Sequence, residues 1–271
     1  MSRPEIIMKQ AQCEHGFLEL KCNRCTSTPT CIHGMPSGCL LCSIQSSRAL
    51  FGIMGAAAVG APPSSTQLKE LLDNVHVDKA GYFQNAGFTI TPITALERSS
   101  LTGPHAIVLH RTDSWNLPGS LESFKTSGKG THFIIDKDGT IHQTASLLKY
   151  TNHVGRIRSR CYEAGTCSAE ETKKIKSWGW NPDKLHDHEK VKSYPTRFPK
   201  NEDSVGIEVV AKYHKDKKVW DAATPGQLKS VAIVVKLLKT TYSLGESDIY
   251  EHDKIAYKTA GEGAGLYTGG V

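Results

Sequence analysis

Ala106-Ile107-Val108-Leu109-His110 sets an unbroken apolar run directly against an imidazole. Consecutive apolar residues without polar alternation describe a strand buried on both faces, which obliges other elements to cover it above and below. Ser204-Val205-Gly206-Ile207-Glu208-Val209-Val210 reads as another strand, with an ionisable side chain near its C-terminal end. Phe88-Thr89-Ile90-Thr91 reads as a further strand. Thr131 to Ile135 and Thr140 to Gln143 form a hairpin across Asp136-Lys137-Asp138-Gly139, whose Asp-Gly pair favours a tight turn. Leu121 to Phe124 read as a short helix. Thr224-Pro225 opens a stronger one, with a cap and proline at the first helical position and Leu228, Val231, Val235 and Leu238 on one face. The class from residue 88 onward is α/β.

Two regions depart from this pattern. Residues 156–203 read as an irregular basic insertion holding Cys161, Cys167, the Trp178-Gly179-Trp180 cluster and several prolines. The N-terminal segment holds six of the eight cysteines and repeats a unit: C-x-H-G, a short loop, then C-x-x-C. The units are Cys13, His15, Cys22, Cys25 and Cys31, His33, Cys39, Cys42, a Cys3His set twice. That donor set suits two closed, tetrahedral structural zinc sites, without which so short a segment could scarcely fold. Closed sites have no open position for chemistry, so this module reads as an interaction or targeting element. Between the two regions, Ala49 to Pro63 is apolar, rich in Gly and Ala, and ends in two prolines. It reads as a linker partly packed on the main domain; the other reading is a membrane-interacting segment too short to span. Ser64-Ser65-Thr66 can cap a short helix with Leu68, Leu71 and Leu72 on one face. The expected organisation is a zinc-knuckle module at 1–47, a linker at 48–66 and a catalytic domain at 67–271 with an insertion at about 156–203.

A net charge of +6 suits a polyanionic partner, although a solvated basic face explains it equally well. Aromatics interleaved with basic residues would mark the knuckles as nucleic-acid readers, but residues 13–42 offer only Phe17, so no nucleic acid is expected. Met1 to Cys13 lacks the apolar core of a secretory signal, and no window reaches the roughly 18 apolar residues of a spanning helix. Synthesis in the cytoplasm without a signal peptide is the expectation. Cys161 and Cys167 can bridge locally if the chain reaches an oxidising compartment.

The chemistry concentrates near the C-terminus. His252 and Glu262 stand ten positions apart with Lys258 between them and glycines around the carboxylate. One loop can therefore present two metal ligands while the lysine faces the same pocket. A hydrolytic zinc needs a third protein ligand and an open fourth position. His110, at the end of its buried strand, is the candidate. His132 and His142 read as structural or groove-lining, and His186 and His188 as solvated or loop-stabilising.

Taken in order, Ile107-Val108-Leu109-His110-Arg111-Thr112, His132 to Gly139, Asn152-His153-Val154-Gly155, Ser204 to Glu208 and His252-Asp253-Lys254-Ile255 resemble the zinc-dependent N-acetylmuramoyl-L-alanine amidases of the type 2 superfamily. That group includes phage lysozyme-like amidases, muropeptide amidases and peptidoglycan recognition proteins. The resemblance covers roughly residues 88–271 without the insertion. It implies a central mixed sheet flanked by helices, and a catalytic zinc on His110, His252 and Glu262, with Glu262 standing where the family has Asp or Cys. It further implies that Glu208 relays a proton, that Lys258 stabilises the oxyanion, and that His153 and Arg111 contact substrate. Two departures are visible. The family lysine lies two residues before the last ligand, where this chain has Ala260, and Arg111 replaces the usual His or Thr.

The implied reaction cleaves the bond between the muramic acid lactyl group and L-alanine, with peptidoglycan or muropeptides as substrate. A cell-wall-degrading effector toxin or an endolysin fits best, acting in a target cell's periplasm after non-classical delivery or lysis. An effector would have an immunity protein or a secretion-machine component as partner. The alternatives are a non-catalytic peptidoglycan-binding protein and a cytosolic muropeptide-recycling amidase.

Overall fold

The computed structural model describes residues 74–269, and besides them residues 11–12 and 18–19, which pair as two short antiparallel strands. The chain divides into two units, Met1–Pro62 and Pro63–Val271. Both Cys3His units, the 49–63 stretch and the helix expected after Ser64 lie outside the described residues. Among the described residues no helix is long and apolar enough to cross a membrane.

A six-stranded mixed sheet organises the second unit. Its strands are β1 (Thr89–Ile90), β2 (Ala106–Arg111), β3 (Phe133–Ile135), β4 (Ile141–Gln143), β5 (Ser204–Val209) and β6 (Ile249–Glu251), in the spatial order β6-β2-β5-β3-β4-β1. β2 lies between β6 and β5, parallel to both, and β5 is parallel to β3. The β3–β4 hairpin supplies the one antiparallel step, and β1 closes the edge parallel to β4. β2 and β5 are thus both interior strands of the sheet, flanked on each side by a neighbour, and all six residues of β2 are buried.

Alternation along the strands sorts the side chains between two faces. Ile107, Leu109, Val205, Ile207, Phe133 and Ile135 pack beneath a long helix through Val231, Val234, Val235 and Leu238. The opposite face carries Val108, which packs with Val154, Ile157, Ile255 and Ala256, and Ile134, which packs with Phe124. Position 110 follows the parity of 108, so its side chain emerges on this second face.

Helices in chain order are α1 (Leu117–Ser127), α2 (Arg160–Glu163), α3 (Ala169–Ser177), α4 (Pro182–Glu189), α5 (Pro225–Tyr242) and α6 (His252–Ile255). α5 begins as expected: the Thr224 hydroxyl accepts from the Gln227 N–H, and Gln227 answers at the Thr224 N–H. Leu228 departs from expectation, being exposed, while Val234 is buried in its stead. α1 is longer than Leu121–Phe124 because Asn116 caps it at the Gly119 N–H and Pro118 sits in its first turn. The insertion is not irregular. It folds into α2, α3 and α4, with Ser168 and Asn181 capping the last two. A Cys161–Cys167 disulfide closes the turn between α2 and α3.

Candidate metal centre

His110 leaves the second face of the sheet at the C-terminal end of β2 and is buried. Glu208 is its register partner on β5, so the two side chains emerge from the same face on neighbouring strands. β6 runs directly into α6, whose first residue is His252. This turn of helix points a buried imidazole back across the end of β2, bringing the rings of His110 and His252 to 4.1 Å between centroids.

Glu262 completes the group from the loop that follows. Its Oε1 lies 2.7 Å from His252 Nδ1 and 3.5 Å from His110 Nδ1. The loop is fixed from both sides. Asp253 accepts from the Gly261 and Gly263 N–H groups at 2.9 and 3.0 Å, bracketing Glu262. Arg111 donates from Nη1 to the carbonyls of Gly261, Glu262 and Ala264 at 2.9, 3.1 and 3.0 Å. Gly263 passes so close to the sheet that a Cβ there would come within 2.7 Å of the Leu109 carbonyl, so no larger residue fits beside Glu262.

The donor set fits a divalent cation. His252 Nε2 lies 2.7 Å from the Val154 carbonyl oxygen, which can only accept, so that nitrogen carries the proton. Nδ1 is the nitrogen left to face the Glu262 carboxylate. Lone pair and anion at that range repel unless a proton or a cation lies between them. The ligand atoms of His110, His252 and Glu262 all lie within 4.8 Å of one another, as a shared ion requires.

The electrostatics agree. Burial and the neighbouring His252 push the His110 imidazole down to about 3, keeping it neutral and ready to ligate. Burial alone would raise the Glu262 carboxyl, but the imidazoles of His110 and His252 hold it well below the usual range. Glu208 moves the other way. Burial and the charge of Glu262 push it up to about 8, against the opposing pull of Thr131 and Lys258. Lys258 is exposed, on the solvent side of this cluster.

The structure thus brings His110, Glu208, His252 and Glu262 together, with Lys258 within electrostatic reach. Arg111 and His153 are both buried beside the cluster. The Arg111 guanidinium is buried and spends its bonds on the Glu262 loop. His153 is 7% exposed, with Nδ1 3.1 Å from His110 Nε2 and Nε2 3.2 Å from Ser204 Oγ. Asp253 joins the site without a sequence expectation; an acid just before a glycine-rich loop is its only mark there.

Among the remaining histidines, His132 is buried between the Lys149 carbonyl and the Gly206 N–H, and His142 meets Thr91. His186 accepts from the Ile157 N–H. His188 joins Glu171 and Glu189 in a second cluster of ligand-type groups. There the Lys192 ammonium stands 2.6 Å from Glu171 and 2.7 Å from Glu189, so a cation of the chain's own already fills the centre. That cluster ties α3 to α4.

No curated protein sequence matches the chain. Among solved structures, the endolysin N-acetylmuramoyl-L-alanine amidase LysCS from Clostridium intestinale URNW is similar at 17% identity, covering 66% of this chain and 89% of that one, with a TM-score of 0.37. A selenomethionine derivative of AmpD matches at 17% identity over 70% of this chain and 93% of its own, with a TM-score of 0.43. The Ph2119 endolysin from Thermus scotoductus MAT2119 bacteriophage Ph2119 matches at 16% identity over 63% and 89%, with a TM-score of 0.36. The sequence profile of the N-acetylmuramoyl-L-alanine amidases matches residues 100–264, which is more than half of the chain and holds every residue of the cluster just described, and the chain belongs to that family.

Proposed function

We propose that this chain is a zinc-dependent amidase that hydrolyses the bond between the lactyl group of muramic acid and the L-alanine of the peptide stem. The observation that carries the reading is the convergence of His110, His252 and Glu262 beside a protonatable Glu208 on the same face of the sheet. His110, His252 and Glu262 would hold the ion. Bound there, it supplies a Lewis acid that polarises the amide carbonyl and acidifies water.

The chain's own residues do the rest. Glu208 accepts the proton of the attacking water and passes it to the alanine nitrogen as the carbon–nitrogen bond breaks. The water oxygen stays in the new lactyl carboxylate, and the stem leaves with a free amine. Burial, with the charge of Glu262, raises the Glu208 carboxyl above the ordinary carboxylate range, the direction that suits a group serving first as base and then as acid. Lys258, on the solvent side, stabilises negative charge developing on the carbonyl oxygen.

The N-terminal cysteine–histidine units serve as two structural zinc sites of an interaction module, and the domain from 67 onward carries the catalysis. The Cys161–Cys167 disulfide supports action outside a reducing cytosol, as an endolysin or a delivered effector rather than a recycling enzyme. An effector would be neutralised by an immunity protein in its producer.

The test is digestion of purified sacculi by the wild type and Glu208→Ala, with products identified by mass spectrometry and a chelated control. The wild type alone should release intact stem peptides bearing a free L-alanine amine. Glycan fragments, cross-bridge cleavage or indifference to chelation would overturn the reading.

A further inference from the structure

Both ligand histidines are braced by one short strap. The Val154 carbonyl takes the Nε2–H of His252, and the neighbouring His153 ring meets Nε2 of His110 at 3.1 Å. The strap is itself anchored, since Asn201 Oδ1 accepts from the N–H groups of both His153 and Val154, at 3.0 and 2.8 Å. Gly206 makes room for it. A Cβ at 206 would stand 2.8 Å from His153 Nδ1, so any side chain on that strand position would drive the ring off His110.

The direction of every hydrogen bond in this strap follows from one fixed end. The Lys200 carbonyl can only accept, so the Ser204 hydroxyl, 2.7 Å away, donates its proton there. Ser204 Oγ is then an acceptor for His153 Nε2–H at 3.2 Å, with the Ser204 carbonyl a second acceptor at 3.4 Å. With its proton directed to these acceptors at Nε2, the His153 ring presents the lone pair of Nδ1 to His110. His110 must therefore donate from Nε2, which leaves its Nδ1 bare and facing Glu262. One backbone carbonyl thereby sets the tautomer of a ligand two side chains away.

We infer that His153 is a positioning residue for the metal ligand His110, held in its working tautomer by Ser204 and the Lys200 carbonyl. It orients the ligand without touching substrate, which is why it is buried. The inference rests on the metal-centre reading given above. Outer partners of ligand histidines govern both ring orientation and basicity, and their loss weakens metal binding by about 10–100-fold.

The test measures zinc affinity of the full chain by chelator competition, with His252→Ala marking the equivalent that belongs to this centre. His153→Leu removes the acceptor. His153→Asn replaces Nδ1 with a carbonyl oxygen at a similar position, and Ser204→Ala removes the hydroxyl that orients the ring. The Leu variant should bind that equivalent about 10–100-fold more weakly, Asn should restore it to within a few-fold of wild type, and Ser204→Ala should fall between. The cobalt-substituted centre should change its visible spectrum in the same order. If the Leu variant fails to fold, the order wild type, Asn and Ser204→Ala still decides the matter. Wild-type affinity in the Leu and Ser204→Ala variants would overturn the role of His153 while leaving the metal centre intact. Equal metal content in wild type and His252→Ala would overturn the metal centre itself, and this inference with it.

Discussion

Glu208 and His110 are paired residues on adjacent parallel strands, and parity puts both side chains on the face that His252 and Glu262 reach from the C-terminal loop. The pairing separates two roles that share one wall. His110 has its ring nitrogens turned to Glu262 and His153, whereas Glu208 meets the Thr131 hydroxyl at 3.3 Å. Glu208→Gln keeps the shape and removes the titrating proton. It should lower kcat by roughly 10²–10⁴-fold with KM and bound metal nearly unchanged, as loss of general acid–base catalysis predicts. Steady-state kinetics on soluble muropeptides, with metal analysis of the same preparation, checks it. A parallel fall in metal content would place Glu208 among the ligands instead.

Arg111 clamps the loop that presents Glu262, through three carbonyls on one Nη1. Arg111→Met deprives the buried Glu262 carbonyl of this donor, at a cost of about 1–3 kcal/mol. Chemical denaturation should report that loss. Zinc affinity should fall as well, because the loop that presents Glu262 then loses its clamp to β2 and keeps the Asp253 bonds to Gly261 and Gly263. Unchanged affinity in a destabilised protein would confine Arg111 to packing.

The legible parts of this molecule are those whose pattern depends on local geometry alone. β2 and β5 are apolar runs because both their faces are covered, and His110 and Glu208 stand out because an ionisable group near the end of such a run is chemically unusual, whereas His252 and Glu262 are marked only by their spacing in one glycine-rich segment. The insertion is opaque for the opposite reason. α3 buries only Ile175, and α4 only Leu185 and Glu189, so neither helix carries an apolar stripe to read. Ser168 and Asn181-Pro182 are the sequence marks available there. The partners of Arg111 and His153 are not legible in the sequence because the direction of a buried polar side chain depends on where a distant loop packs. Nothing local tells a guanidinium that meets substrate from one that meets the carbonyls of residues 261–264.

His132 is buried with both ring nitrogens committed, Nε2–H to the Lys149 carbonyl and Nδ1 to the Gly206 N–H. The ring must stay neutral to keep the second bond. Burial lowers its pKa from 6.5 to about 4, against the weaker upward pull of the Lys149 carbonyl. Below pH 6.5 the unfolded chain takes up this proton and the folded one does not, so its contribution is complete above 6.5 and lost as pH falls toward 4. The full loss is about 3 kcal/mol, the free energy of one proton carried across that pH interval. Unfolding free energies measured between pH 7 and pH 4 should fall more steeply for the wild type than for His132→Gln, by up to one proton. Parallel curves would mean that His132 titrates alike in both states.

Lys192 sits between the carboxylates of Glu171 and Glu189, and the side chain of Glu189 is fully buried. Glu171 also takes the Nε2–H of His188 at 2.6 Å, so the ammonium is the only countercharge that reaches both acids. Lys192→Met should strand two acids, one without solvent. Breaking a buried pair costs about 3–5 kcal/mol, and the partial exposure of Lys192 lowers the expectation to roughly 1–3 kcal/mol. A second change, Glu189→Gln, removes the stranded charge and should recover most of that loss, since a buried amide is far cheaper than a buried carboxylate without a partner. Denaturation of the single and double variants gives the coupling directly. Additive losses would mean that Lys192 and Glu189 are held independently. The expected recovery would show that α3 and α4, which carry almost no apolar core of their own, are fastened by charge.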